Sequence, residues 1–106
     1  MNGTKNKVIF NNVSLDVVFG RYLNERIAIM LVDNSDVVPE VYAYATINIP
    51  EVELNSNEVI IKDYSENKGI LDALITAGII SSPQKHVKTG FVECPICLLL
   101  IEPSFK

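Results

Sequence analysis

Two cysteines separated by two residues, in Cys94-Pro95-Ile96-Cys97, are the chain's most reactive side chains. A pair at this spacing supplies half of a zinc site or the two sulfurs of a redox disulfide. Structural zinc takes four ligands, and His86 is the one other nitrogen or sulfur donor of the usual kinds. A closed site within one chain is therefore short of a ligand. A redox pair works from a helix N-terminus, where the dipole lowers the thiol pKa. Here the pair lies within Phe91 to Ile101, an apolar run that reads as a strand. Strand residues three apart point to opposite faces, so the two sulfurs are expected to stay apart and reduced unless Pro95 bends the chain.

His86 sits among Lys85, Val87 and Lys88. Acid–base catalysis uses a histidine held by a partner, whereas one in a lysine-bearing loop is ordinarily solvated. No serine stands in a nucleophile elbow, and Gly3, Gly20, Gly69, Gly78 and Gly90 are too scattered to form a phosphate loop. Glu51, Glu53, Glu58, Asp63 and Glu66 invite a metal or glycosidase reading. Two carboxyls across a cleft need more room than a domain of this size offers, so solvated charge is the default. No catalytic residue, metal ligand or cofactor is assigned. The segment that stands out is Asp63-Tyr64-Ser65-Glu66-Asn67, which joins a strand to a helix. Its plain role is capping, with Ser65 at the helix start and Tyr64 packed beneath it. Its functional role would be a recognition surface built from Asp63, Tyr64, Glu66 and Asn67. Tyr42 and Tyr44 extend that surface if their face is open, since exposed tyrosines favour protein interfaces.

The elements that must position these groups are mostly strands. Lys7 to Phe10, the turn residues Asn11-Asn12 and the alternating Val13, Leu15, Val17 and Phe19 read as a hairpin. Ile27 to Val32 is unbroken apolar, the pattern of a central strand covered on both faces. After a loop at Asn34 to Pro39, Val41, Ala43, Ala45, Ile47 and Ile49 form one face of a strand that Pro50 ends, with Tyr42, Tyr44, Thr46 and Asn48 on the other. Glu58 to Asp63 is a further short strand. One helix, at about 66–77, carries Ile70, Leu71, Leu74 and Ile75 on a stripe and ends at Gly78 in a Schellman arrangement with Ile79. Ser81 to Gly90 reads as a polar loop. Proline at position 95 demotes part of the last strand to an edge or a bulge. The expected fold is α+β: a mostly antiparallel sheet of five or six strands with the helix packed on one face.

Residues 1–106 are the size of a single domain, and 48% apolar with 21% charged residues is a globular composition. The unbroken apolar runs, Ile27 to Val32 among them, fall far short of the roughly 20 residues of a spanning helix. Met1 to Lys7 is polar and lacks the apolar stretch of a secretory signal, so the expected location is the cytoplasm. The net charge of −4 is uneven. From Asp33 to Asp72 there are nine acidic residues and two lysines. That acidic middle argues against direct nucleic-acid binding, which needs clustered Lys and Arg.

Gly20-Arg21-Tyr22-Leu23-Asn24, Thr46-Ile47-Asn48-Ile49-Pro50, Ile61-Lys62-Asp63-Tyr64-Ser65-Glu66-Asn67 and Thr89-Gly90-Phe91-Val92-Glu93, in this order, make the chain resemble a family of small uncharacterised bacterial proteins. That family is common in Firmicutes, counts as a domain of unknown function, and is often found on plasmids and conjugative elements. The likeness runs from about Val13 to Leu99. It brings no activity and no catalytic residues, and implies an accessory protein of a mobile genetic element. The expected function is non-enzymatic binding of a protein partner. A sharper form is an acidic mimic of nucleic acid that occupies a nucleic-acid-handling protein. The alternative is a small ligand-binding domain or enzyme with a site near Asp63 to Asn67 and His86. A homodimer paired through Cys97 to Ile101 is a further possibility.

Overall fold

The structure, a computed structural model, describes residues 6–105; most of the polar N-terminal segment lies outside the described residues. Four strands form the first antiparallel sheet in chain order: β1 (Lys7–Phe10), β2 (Val13–Arg21), β3 (Ile27–Asp33) and β4 (Glu40–Tyr44). The hairpin of β1 and β2 turns on Asn11 and Asn12, whose φ of 54° and 64° is the left-handed pair that a two-residue turn requires. Period-two alternation then places Val8, Phe10, Leu15, Phe19, Ile29 and Leu31 on the inner face, and all are buried. β3 is central, as its apolar run requires, but only one of its faces is sealed: Ala28 and Met30 are half-buried.

The remaining strands make a second antiparallel sheet in the order β5-β7-β6, from β5 (Glu58–Ile60), β6 (Lys85–Thr89) and β7 (Val92–Leu98). The fold is α+β, but the described residues form seven strands in two sheets rather than five or six in one. Two expectations are corrected here. The segment read as a polar loop from Ser81 to Gly90 contains β6, whose Lys-His-Val-Lys-Thr sequence has one apolar residue because it is an exposed edge strand. The strand demoted by Pro95 is the central one, paired with β5 and β6 at once. Proline is tolerated because its carbonyl accepts the Ile61 N–H at 2.9 Å, so its missing donor faces the point just past β5 where regular pairing has ended.

One α-helix, α1 (Ile70–Thr76), follows a 3-10 turn at Ser65–Asn67, so the helix is shorter than the expected 66–77. Its C-terminus closes as the sequence indicates. Gly78 has φ 78°, its N–H donates to Ile75 O at 3.0 Å, and the Ile79 N–H donates to Leu74 O at 3.0 Å. Ile70 and Leu74 are fully buried and share the main core cluster with Ala43, Ala45, Ile29, Leu31, Val59, Ile61 and Cys97, which draws on both sheets. No helix among the described residues is long and apolar enough to cross a membrane.

The strand expected to run to Pro50 ends at Tyr44, and the chain then passes from one sheet to the other. Ala45 makes that passage. Its N–H donates to Ile29 O and its carbonyl accepts the Lys62 N–H, each at 2.8 Å. Beyond it, Ile47, Ile49, Val52 and Leu54 lie over the far face of the second sheet, packing with Tyr64 against a second core cluster of Ile60, Cys94 and Ile96.

Candidate functional site

Asp63 is the residue that starts the helix. One oxygen of its carboxylate accepts the N–H of Gly69 at 2.9 Å and of Leu71 at 3.0 Å. Ser65, expected as the cap, makes no capping bond, and its φ of 55° is strained for a residue with a Cβ. Glu66 is exposed and pairs with Lys62 at 2.9 Å. The hydrogen bond from Lys62 holds the Glu66 carboxyl below its ordinary value, and the same bond raises the Lys62 ammonium. The Lys62 nitrogen also stands 5.7 Å from the Tyr64 ring centre, while the ring is half-buried against the second core cluster. Asn67 is 2% exposed and donates to Tyr44 O at 2.7 Å. Of the six residues singled out, Asp63, Tyr64 and Asn67 thus have their polar or aromatic groups engaged within the fold. Glu66 and Tyr44 present theirs to solvent.

Tyr42 and Tyr44 do not share a face. The β3–β4 register steps from Leu31↔Ala43 to Val32↔Val41, leaving Tyr42 as the extra residue of a bulge. Its ring meets Phe10 edge-on, with centroids 6.1 Å apart. Tyr44 instead lies opposite Met30, and Met30 opposite Val18, in one row across the outer face of the first sheet. Val32 and Val41 stand together in the next row. Tyr44 is 61% exposed and Val41 46%, while Val18 and Met30 are half-buried and belong to neither core cluster. Toward β1 the same face turns polar, where the Lys7 nitrogen lies 2.6 Å from the Asp16 carboxylate and Asn34 donates to its other oxygen. The signal for this face was the two-sided apolar run of β3, which the fold seals on one side alone.

Arg26 was not singled out from the sequence, yet it holds the covering segment in place. Its guanidinium donates to Ile49 O at 2.8 Å and to Val52 O. Beside it, Tyr22 and Thr46 share a 2.8 Å hydrogen bond, the Thr46 hydroxyl accepts the Ile29 N–H at 3.1 Å, and Asn24 donates to Asn48 at 3.2 Å. The blocks at 20–24 and 46–50 are therefore neighbours in space.

Cys94 and Cys97 are buried and free, one in each core cluster, as opposite faces of β7 require. Burial pushes the Cys97 thiol up to about 11 and raises Cys94 as well. His86 is exposed on β6 opposite Pro95, and its side chain makes no hydrogen bond or ion pair among the described residues. β7 separates it from the Asp63 region. A pairing of two copies through Cys97 to Ile101 has no free edge at its start, because Cys97 and Leu98 pair with β5, Ser81 N–H donates to Leu98 O, and Leu100 N–H donates to Ile79 O.

The acidic middle is dispersed. Glu58 is buried, accepts the Asn55 N–H at 2.8 Å and lies 3.7 Å from the Lys85 nitrogen. Asp33 is held below its ordinary value by hydrogen bonds from Ser35, Asp63 caps α1, and Glu66 pairs with Lys62. Comparison with known proteins returns no match, whether to a family model, a curated protein or a solved structure.

Proposed function

We propose that this chain is a non-enzymatic interaction protein that binds a protein partner on the outer face of β2, β3 and β4. The observation that carries the reading is the open row Val18, Met30 and Tyr44 with Val41 beside it. A contiguous apolar patch with a polar rim is the usual mark of a contact surface, and a tyrosine adds a large, rigid side chain with a polar tip. The occupant that fits is a protein surface of matching apolar character. The acidic-mimic form recedes, since four of the nine carboxylates between Asp33 and Asp72 are taken up by caps, turns and ion pairs. The setting, on the resemblance alone, is the cytoplasm of a bacterium carrying a mobile element.

The test is a pull-down from a Firmicute lysate with two baits, the wild-type chain and a Val41→Lys/Tyr44→Glu variant whose thermal melt matches it. A partner enriched by the first bait and lost from the second supports the reading, provided that hydrogen exchange shows new protection in β2 to β4. A partner held equally by both baits, or none at all, sinks it.

A further inference from the structure

A second, independent surface lies on the opposite side of β1. In the hairpin, a two-residue turn makes Phe10↔Val13 a hydrogen-bonded pair, and Val17 N–H donates to Asn6 O at 3.0 Å. The alternation between these fixed points assigns the ladder bonds to Asn6, Val8 and Phe10. The N–H and C=O of Lys7 and Ile9 are therefore directed away from β2, along an edge that has no partner strand among the described residues. That edge faces a groove of about 460 Å³ between β1 and α1, lined by Ile9, Phe10, Lys68, Gly69, Asp72 and Ala73 among others. The groove is narrow at one end, where the position a Gly69 Cβ would take is 3.8 Å from the Phe10 ring.

We propose that this groove takes an extended peptide segment, added to β1 as a fifth strand. Main-chain groups of an extended partner would satisfy Lys7 and Ile9, and every second side chain would enter the space between Phe10 and Ala73. Ala73 is small, so that space suits a bulky apolar residue. Charge selects further. Lys68 on the groove wall makes no ion pair among the described residues, whereas Lys7 at the other side is already paired with Asp16. The segment that fits carries an acidic residue beside the apolar one. A second copy of the chain fits less well, because β1, Lys-Val-Ile-Phe, carries no acid to meet Lys68.

The test selects a phage-displayed library of random linear peptides on the whole chain, then titrates a selected synthetic peptide into isotope-labelled protein. Expected are amide shift changes at Lys7, Ile9, Lys68 and Ala73, and selected sequences that pair an apolar with an acidic residue. Ile9→Pro removes the outward donor while sparing the β1–β2 ladder, and should weaken binding about tenfold or more. Lys68→Glu and Ala73→Leu reverse the charge and fill the groove without touching β1, and each should weaken binding even if Ile9→Pro folds poorly. The proposal is overturned if no peptide is enriched, if Lys68→Glu and Ala73→Leu bind as the wild type does, or if the shifts fall on Val18, Met30 and Tyr44 instead. Dimerisation by light scattering that Ile9→Pro abolishes would also overturn it, in favour of a second copy.

Discussion

The side-chain amide of Asn67 donates to the main-chain carbonyl of Tyr44 at 2.7 Å, tying the turn before α1 to the end of β4. Asn67 is 2% exposed, so its removal leaves a shielded carbonyl without its donor. Asn67→Ala should cost about 1–3 kcal/mol. Asn67→Asp should cost at least as much, because a carboxylate has no proton to give. Urea melts of the two variants check this, and an unchanged midpoint in both would refute it.

Asp63 and Ser65 make opposite predictions about the helix start. Asp63→Ala removes the acceptor of the Gly69 and Leu71 N–H groups and should destabilise by about 0.5–2 kcal/mol, while Asp63→Asn keeps an acceptor and should cost less. Ser65 makes no cap and sits at φ 55°, so Ser65→Gly should stabilise by about 0.4–1 kcal/mol. Thermal melts distinguish this from a capping serine, which would lose stability on the same change.

Arg26 fixes the segment that covers the second sheet. Arg26→Met keeps the apolar stem but removes the guanidinium donor from Val52 O and leaves Ile49 O with the Val52 N–H alone. The expected loss is about 1–3 kcal/mol. Amide exchange should quicken at Ile47 and Val52, whose N–H groups donate within this region, before it quickens in β2 or β3. Uniform quickening would show that the clamp has no local role.

The buried thiols set an alkaline limit. Cys97 keeps its proton up to about 11 in the folded chain, against 9.0 as its ordinary value. Its contribution to stability is therefore complete below pH 9 and is lost as pH rises through about 11, because the unfolded chain ionises first. In urea melts across that window, Cys97→Ala should show a shallower fall than the wild type. Both thiols should also resist alkylation in the native state and react on unfolding; rapid labelling of either without unfolding would contradict their burial.

Much of the fold was legible because it rests on local chemistry. The Asn11-Asn12 hairpin, the central place of β3 and the Gly78 Schellman ending each follow from a few adjacent residues. The division into two sheets was not legible, because it depends on where the chain leaves β4. The alternation from Val41 to Ile49 continues unbroken, while Ala43 faces one cluster and Ile47 another. β6 was missed because an edge strand needs only Val87 to anchor it. Pro95 misled because its place in the ladder depends on the distant end of β5. At the candidate site, Asp63 to Asn67 stood out correctly as a joint. The open apolar row did not, because its members come from three strands and look like core residues one by one.

Ala45 has a consequence for motion. It is wholly buried, and it gives its N–H to one sheet and its carbonyl to the other. A residue bonded in both directions ties the crossing down, and swinging one sheet against the other there must break at least one of the two bonds. Opening the angle between the sheets at this point therefore carries the cost of a buried backbone group left without its partner.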